Sequence, residues 1–196
     1  MLKIRALSLS LNMPIDVNQA QIDLKDFRIL IVEDFHFISE VLSLSLKEIG
    51  VGHVFTAENG TIAQNKVQIY NCVEGDKNID VIVLDWLMPE MDGREFIKWL
   101  RAEANDAIRF IPVIVCSAYT SKTLVNETRD LGVNEVVVKP VSASEIARRI
   151  QYVINHPRAF VKSKTFFGPD RRRRKSPFDG EEKRKARPQD IKKNHG

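Results

Sequence analysis

From Phe27 onward, short apolar runs alternate with stretches in which apolar residues recur at helical spacing. The runs Arg28–Val32, His53–Thr56, Ile79–Leu84, Pro112–Cys116 and Glu135–Val138 are rich in β-branched residues and bounded by turn signals. Runs that are apolar at nearly every position suit strands covered on both faces. Between them, Ile38, Val41, Leu42, Leu44, Ser45 and Ile49 follow a helical repeat that ends before Gly50. Phe96, Ile97, Trp99 and Leu100 do the same after Asp92-Gly93, so both stretches predict amphipathic helices. Thr61–Tyr70, Ser121–Leu131 and Ser142–Asn155 complete the alternation. The last opens on Ser142 as N-cap with Glu145 as its capping-box partner. Strands that alternate with helices in this way predict an α/β domain with a doubly wound parallel sheet over residues 27–156.

Two segments flank that domain. Residues 1–26 have weak apolar periodicity and are expected to form an N-terminal arm, either extended or a short helix. After His156-Pro157 the pattern dissolves into Pro, Gly and charge, with the block Arg171–Lys175. Residues 157–196 are therefore expected to be a mostly disordered basic tail.

Charge sharpens this division. The 196 residues carry a net charge of +4, yet residues 27–156 hold 13 Lys and Arg against 18 Asp and Glu, while residues 157–196 hold 14 against 5. An acidic domain with a basic appendage differs from a basic domain built to cover nucleic acid. No run of 18 apolar residues occurs, and the basic start at Met1 leads into a stretch broken by Ser8, Ser10 and Asn12. A soluble, cytoplasmic protein is the expectation. Cys72 and Cys116 form no CxxC or Cys/His cluster, so neither a disulfide framework nor a zinc site is indicated.

In an open parallel sheet, chemistry gathers beyond the carboxyl ends of the strands. There the sequence places Glu33 and Asp34 after the first strand, Asp85 after the third, Ser117 after the fourth and Lys139-Pro140 after the fifth. Converging carboxylates repel one another unless their pKa rises or a hard cation binds them. Mg²⁺ suits such a site, with Asp34 and Asp85 as direct ligands and Glu33 behind them or acting through water. Asp85 could attack phosphorus to give an acyl phosphate, with Lys139 and the Ser117 hydroxyl binding the remaining oxygens. Any one of these residues alone reads as an ordinary strand end or cap, and it is their joint placement that points to chemistry.

Over residues 27–155 the chain resembles the receiver domains of bacterial two-component response regulators. The resemblance is carried by Ile31-Val32-Glu33-Asp34, by Leu84 to Gly93 (LDWLMPEMDG), by Cys116-Ser117-Ala118 and by Val138-Lys139-Pro140, with Ala57-Glu58-Asn59-Gly60 in support. It implies a flavodoxin-like fold with strand order 2-1-3-4-5, and Asp85 as phosphoacceptor from a histidine kinase or a histidine phosphotransfer protein. It also implies Mg²⁺ at Asp34, Asp85 and the backbone carbonyl of Leu87, and a cis peptide at Lys139-Pro140. Output would pass to a protein partner through the fourth helix, fifth strand and fifth helix (Ser121–Leu131, Glu135–Val138 and Ser142–Asn155). The chain departs from the family pattern in having Val136 where an aromatic switch residue is common, and Ser117 where Thr is commoner. Leu87 and Tyr119, each two residues beyond a site residue, are expected to impede water and slow loss of the phosphoryl group.

Other readings are weaker. A phosphatase of the haloacid dehalogenase type needs an Asp two residues after its nucleophile, and Leu87 stands there. Walker A, GxGxxG and GxSxG sequences are missing, so a signalling module rather than an enzyme is expected. No helix-turn-helix fits the tail, and sequence-specific DNA binding is not expected. Phe166 and Phe167 beside Arg171–Lys175 leave two readings open. They dock back on the domain, or the tail takes an acidic protein, RNA or anionic lipid. The alternative to phosphorelay signalling is thus a phosphorylation-independent scaffold or adaptor acting through its basic tail.

Overall fold

The computed structural model describes residues 24–71, 78–118, 121–163 and 166–171. Cys72, Tyr119, the arm up to residue 23 and the chain after Arg171 lie outside these residues. Five strands form one parallel sheet: β1 (Arg28–Val32), β2 (His53–Ala57), β3 (Val81–Asp85), β4 (Val113–Ser117) and β5 (Glu135–Val138). Their order is β2-β1-β3-β4-β5, as the family resemblance implies. Successive side chains of a strand point to opposite faces, and here both faces are covered. Leu30, Val32, Ile82, Leu84, Val113 and Val115 pack under α2 (Gly60–Asn71), α3 (Gly93–Ala102) and α5 (Lys122–Asp130). Ile29, Ile31, Val81, Val83 and Ile114 pack under α1 (His36–Glu48) and α6 (Ala143–Asn155).

The helix starts follow their polar side chains. The carboxylate of Asp92 accepts from Glu95 N at 2.9 Å, and the Ser121 hydroxyl accepts from Leu124 N at 3.0 Å. Ser142 caps α6 as expected, accepting from Glu145 N at 3.2 Å. The Glu145 carboxylate pairs with Arg149 Nε at 2.8 Å and with Arg148, so it is committed forward along the helix. Gly93 is needed for close approach, since a Cβ there would lie 2.7 Å from the Asp85 carbonyl oxygen.

The structure departs from the sequence reading at one helix face and adds elements to it in two places. The buried face of α1 is Ser39, Leu42, Ser43 and Leu46, while Ile38, Val41, Leu44 and Ile49 are exposed. Small serines let the helix approach the sheet, and the larger apolar residues are left outside. A short helix that the sequence did not announce, α4 (Asp106–Arg109), precedes β4. Order also continues into the segment expected to be a disordered tail: β6 (Phe160–Lys162) and β7 (Phe167–Pro169) pair as an antiparallel hairpin. The Phe110 ring lies 4.8 Å from that of Phe160 and 5.1 Å from that of Phe167. Gly132, at φ 87°, lets the hairpin backbone come close, since a Cβ on Gly168 would lie 2.6 Å from Gly132 Cα. Aromatic packing thus offsets the ordering cost that composition alone predicted would win.

Beneath the hairpin lies Arg101, a buried cation whose donors go to backbone carbonyls. Nε and Nη2 reach Gly132 O at 3.1 and 2.9 Å, and Nη1 reaches Arg109 O at 2.7 Å and Ile111 O at 2.9 Å. The Phe160 ring covers the guanidinium at 5.2 Å. Burial pushes its pKa down to about 9, which still leaves it charged at neutral pH. Arg101→Met would leave three carbonyl oxygens without their donor. We expect it to lower stability by about 2–4 kcal/mol in urea unfolding.

Candidate functional site

The register of the sheet assembles the site. Val32 lies beside Leu84, Asp85 beside Cys116 and Ser117 beside Val138. Asp85 and Ser117 are the last residues of β3 and β4, and Glu33, Asp34 and Lys139 follow directly on β1 and β5, so all five stand on the same rim. Glu33, Asp34 and Asp85 each bring one carboxylate oxygen within 4.8 Å of the others. Lys139 Nζ bridges two of them, donating to Glu33 Oε2 at 2.7 Å and Asp85 Oδ2 at 2.8 Å. Its backbone N donates to Ser117 O at 2.8 Å, and the Lys139–Pro140 peptide is cis. Ser117, Glu33 and Asp85 are all buried.

Electrostatics follow from this crowding. Burial raises the pKa of Glu33, the bond to Lys139 pulls it back, and the charge of Asp85 raises it again. Burial alone would lower Lys139, but the bonds to Asp85 and Glu33 outweigh it and its pKa is raised. The ammonium is therefore held charged. Burial pushes the Cys116 thiol up to about 12, so this neighbour of Asp85 is no nucleophile.

Two oxygens of the cluster are left over. Glu33 Oε1 and Asp34 Oδ1 are buried without a hydrogen-bond partner, a costly state that a bound cation relieves. An all-oxygen donor set of three carboxylates fits a hard divalent ion rather than a soft one. Asp85 Oδ1, by contrast, accepts from Trp86 N at 2.7 Å.

The five residues that the sequence places at the strand ends, Glu33, Asp34, Asp85, Ser117 and Lys139, converge here, and Leu87, two residues beyond Asp85, is exposed. His36 opens α1 and lies 3.8 Å from Glu40, the place of a helix-start residue. Val136 packs in β5 against the core. What the sequence reading missed is the tie between neighbouring loops. Asn59 Oδ1 caps α2 by accepting from Ile62 N at 2.9 Å, while its Nδ2 donates to Glu90 Oε2 at 2.9 Å. Glu90 has φ 65°, and Gly60 N donates to Met91 O at 3.0 Å. The segment after Asp85 is thus anchored to the start of α2. Asn59 stands within the quoted turn Ala57–Gly60, and a polar residue before a Gly at a helix start was the available signal.

Known proteins are similar to this chain in sequence and fold. The family model described as the response regulator receiver domain matches residues 29–151. Chemotaxis protein CheY-3 of Vibrio cholerae is 28% identical over 129 residues, covering 66% of this chain and 92% of that protein. A probable transcriptional regulatory protein of Picosynechococcus sp. is 31% identical over 136 residues, 69% of this chain. The match spans 52% of that relative, about half its length. Among solved structures, CheY4 of Vibrio cholerae is similar with a TM-score of 0.57 at 29% identity, covering 65% of this chain and 98% of that one. The signal receiver domain of a histidine kinase from Syntrophus aciditrophicus gives a TM-score of 0.56 at 28% identity, covering 65% and 89%. With the match extending over most of the folded domain and through the four strand ends that form the acidic rim, the chain belongs to the response regulator receiver family.

Proposed function

We propose that the protein is a phosphorelay receiver in which Asp85 accepts a phosphoryl group from a phosphohistidine of a histidine kinase or phosphotransfer protein. The observation that carries this reading is the trio Glu33, Asp34 and Asp85 facing one lysine, with two buried oxygens unpartnered. Asp85 forms the new O–P bond as the P–N bond to imidazole breaks, and the imidazole leaves with a proton. Lys139 turns from the Asp85 carboxylate to the incoming phosphoryl oxygens, and the Ser117 hydroxyl gives them a further donor. Asp34, Asp85 and the Leu87 backbone carbonyl would hold Mg²⁺, with Glu33 behind them, and the ion would supply positive charge against the phosphoryl oxygens. Exposed Leu87 limits the approach of water to the acyl phosphate.

Output passes to a protein partner through α5, β5 and α6. That face already exposes Val125, Val138 and Tyr152, and Val138 adjoins Lys139, so a rearranged lysine is felt there directly. The chain works as a signalling module, and it lies in the cytoplasm with its kinase. Among the described residues, no helix is long and apolar enough to cross a membrane. A scaffold reading, in which the basic tail does the work, draws on the docked hairpin that carries the chain as far as Arg171.

Four outcomes test the reading. With Mg²⁺ and acetyl phosphate, intact mass should show one added phosphoryl group on the wild type and none on Asp85→Asn; an equal adduct on both sinks the assignment. In cells, a silent Asp85→Asn beside a truncation after Arg171 that abolishes function would favour the scaffold. Trp86 is buried and its backbone N–H donates to Asp85, so Mg²⁺ should change its fluorescence, and Asp34→Asn should weaken that titration by about tenfold or more. Leu87→Asn should shorten the phosphoryl half-life by a factor of about three, read by loss of the adduct over time.

A further inference from the structure

The apolar residues that α1 turns outward form a continuous surface. Phe37, Val41 and Leu44 stand one and two turns apart on a single line, at 76%, 45% and 60% exposure. Beside that line runs a groove of about 530 Å³, lined by Phe37, Ile38, Val41, Leu42, Pro140 and Val141. Its upper end reaches Glu33, Asp85 and Lys139. Contiguous apolar surface of this kind marks a place that something covers.

The chain itself brings a candidate to the spot. Leu24 is buried with Leu42, Leu46 and Val51, and its carbonyl accepts from Gly52 N at 3.0 Å. A Cβ on Gly52 would lie 1.6 Å from the Lys25 carbonyl oxygen, so the chain enters the domain pressed against the turn that ends α1. The residues preceding Leu24 therefore start at the lower end of the apolar line. In that stretch Leu7, Leu9, Leu11 and Met13 alternate with Ser8, Ser10 and Asn12, which gives an extended segment one apolar edge. Leu7 to Met13 extended spans about 20 Å, and α1 is itself about 20 Å long. The ten residues between Met13 and Leu24 give ample slack for the turn. Running upward from Leu24, the chain would bring Lys3 and Arg5 towards the rim where Glu33, Asp34 and Asp85 lie, so charge matches at that end too.

We propose that the segment Leu7–Met13 of the same chain lies along α1 and fills this groove. The placement stands independently of whether Asp85 is phosphorylated. Cysteine pairs in the full chain, on a Cys72→Ala background, test it. Leu9→Cys with Leu44→Cys should oxidise to an intramolecular disulfide about tenfold faster than Leu9→Cys with Ile69→Cys, because Ile69 is equally exposed but lies on α2 across the sheet. Equal rates for the two pairs would overturn the proposal. Cross-linked dimers in place of the intramolecular product would also overturn it and assign the groove to a second copy. As a second measurement, hydrogen exchange along α1 should quicken in the triple variant Leu7→Ser, Leu9→Ser, Leu11→Ser. Unchanged exchange would count against the cover.

Discussion

Everything at the working edge of this domain depends on one ammonium group. Lys139 joins Glu33, 106 residues earlier in sequence, to Asp85, 54 residues earlier, and so ties the ends of β5, β1 and β3 together. Without that positive charge the three carboxylates would confront one another in a partly dry crevice, where repulsion is poorly screened. The lysine can be held there because its backbone is bonded to Ser117 and its stem leaves the sheet at a fixed point. Its reach also defines what the site tolerates. A ligand that draws Lys139 away from Asp85 must bring its own compensation for that carboxylate, and an anion arriving with a divalent cation does so.

The sheet makes such a contact possible by being rigid where the loops are not. Every residue of β3 and β4 is buried, so Asp85 and Ser117 end strands that have nowhere to shift in a close-packed interior. Around them the loops are fastened to each other rather than to the core. Asn59 grips Glu90, Gly60 grips Met91, and Gly93 lets α3 start against the Asp85 backbone. A rearrangement at the acidic rim therefore acts on loops and helix starts, while the strands behind them serve as the frame.

Much of this was legible in the residues. Continuous apolar runs gave away the buried parallel strands, and the charged residues placed straight after them marked the rim. The cis Lys139–Pro140 peptide and the strand order came from family likeness, since neither follows from periodicity. The α1 reading went astray for a physical reason. Ile38, Val41 and Leu44 look like a core face, but Ser39 and Ser43 allow closer packing on the sheet, and periodicity alone does not choose between a small face and a large one. The hairpin was hidden by composition. Pro, Gly and charge announce disorder, yet Phe160 and Phe167 meet Phe110, a residue some 50 positions earlier, and only the fold brings those rings together. The Asn59–Glu90 bond was hidden in the same way, by long separation in sequence.

That hairpin gives the molecule two poles. It rests on Gly132, Arg101 and Phe110, which sit where α3, α5 and α4 end and the strands β4 and β5 begin. The acidic rim lies at the other ends of the same strands. Arg171 stacks over Phe166 at 4.0 Å and pairs with Asp130 at 3.2 Å, so the chain departs for its basic run from a fixed point about a strand's length, roughly 17 Å, from Asp85. The sheet therefore separates two surroundings, a charged one at its carboxyl edge and an aromatic one at its opposite edge. A ligand seated at one pole leaves the other pole open.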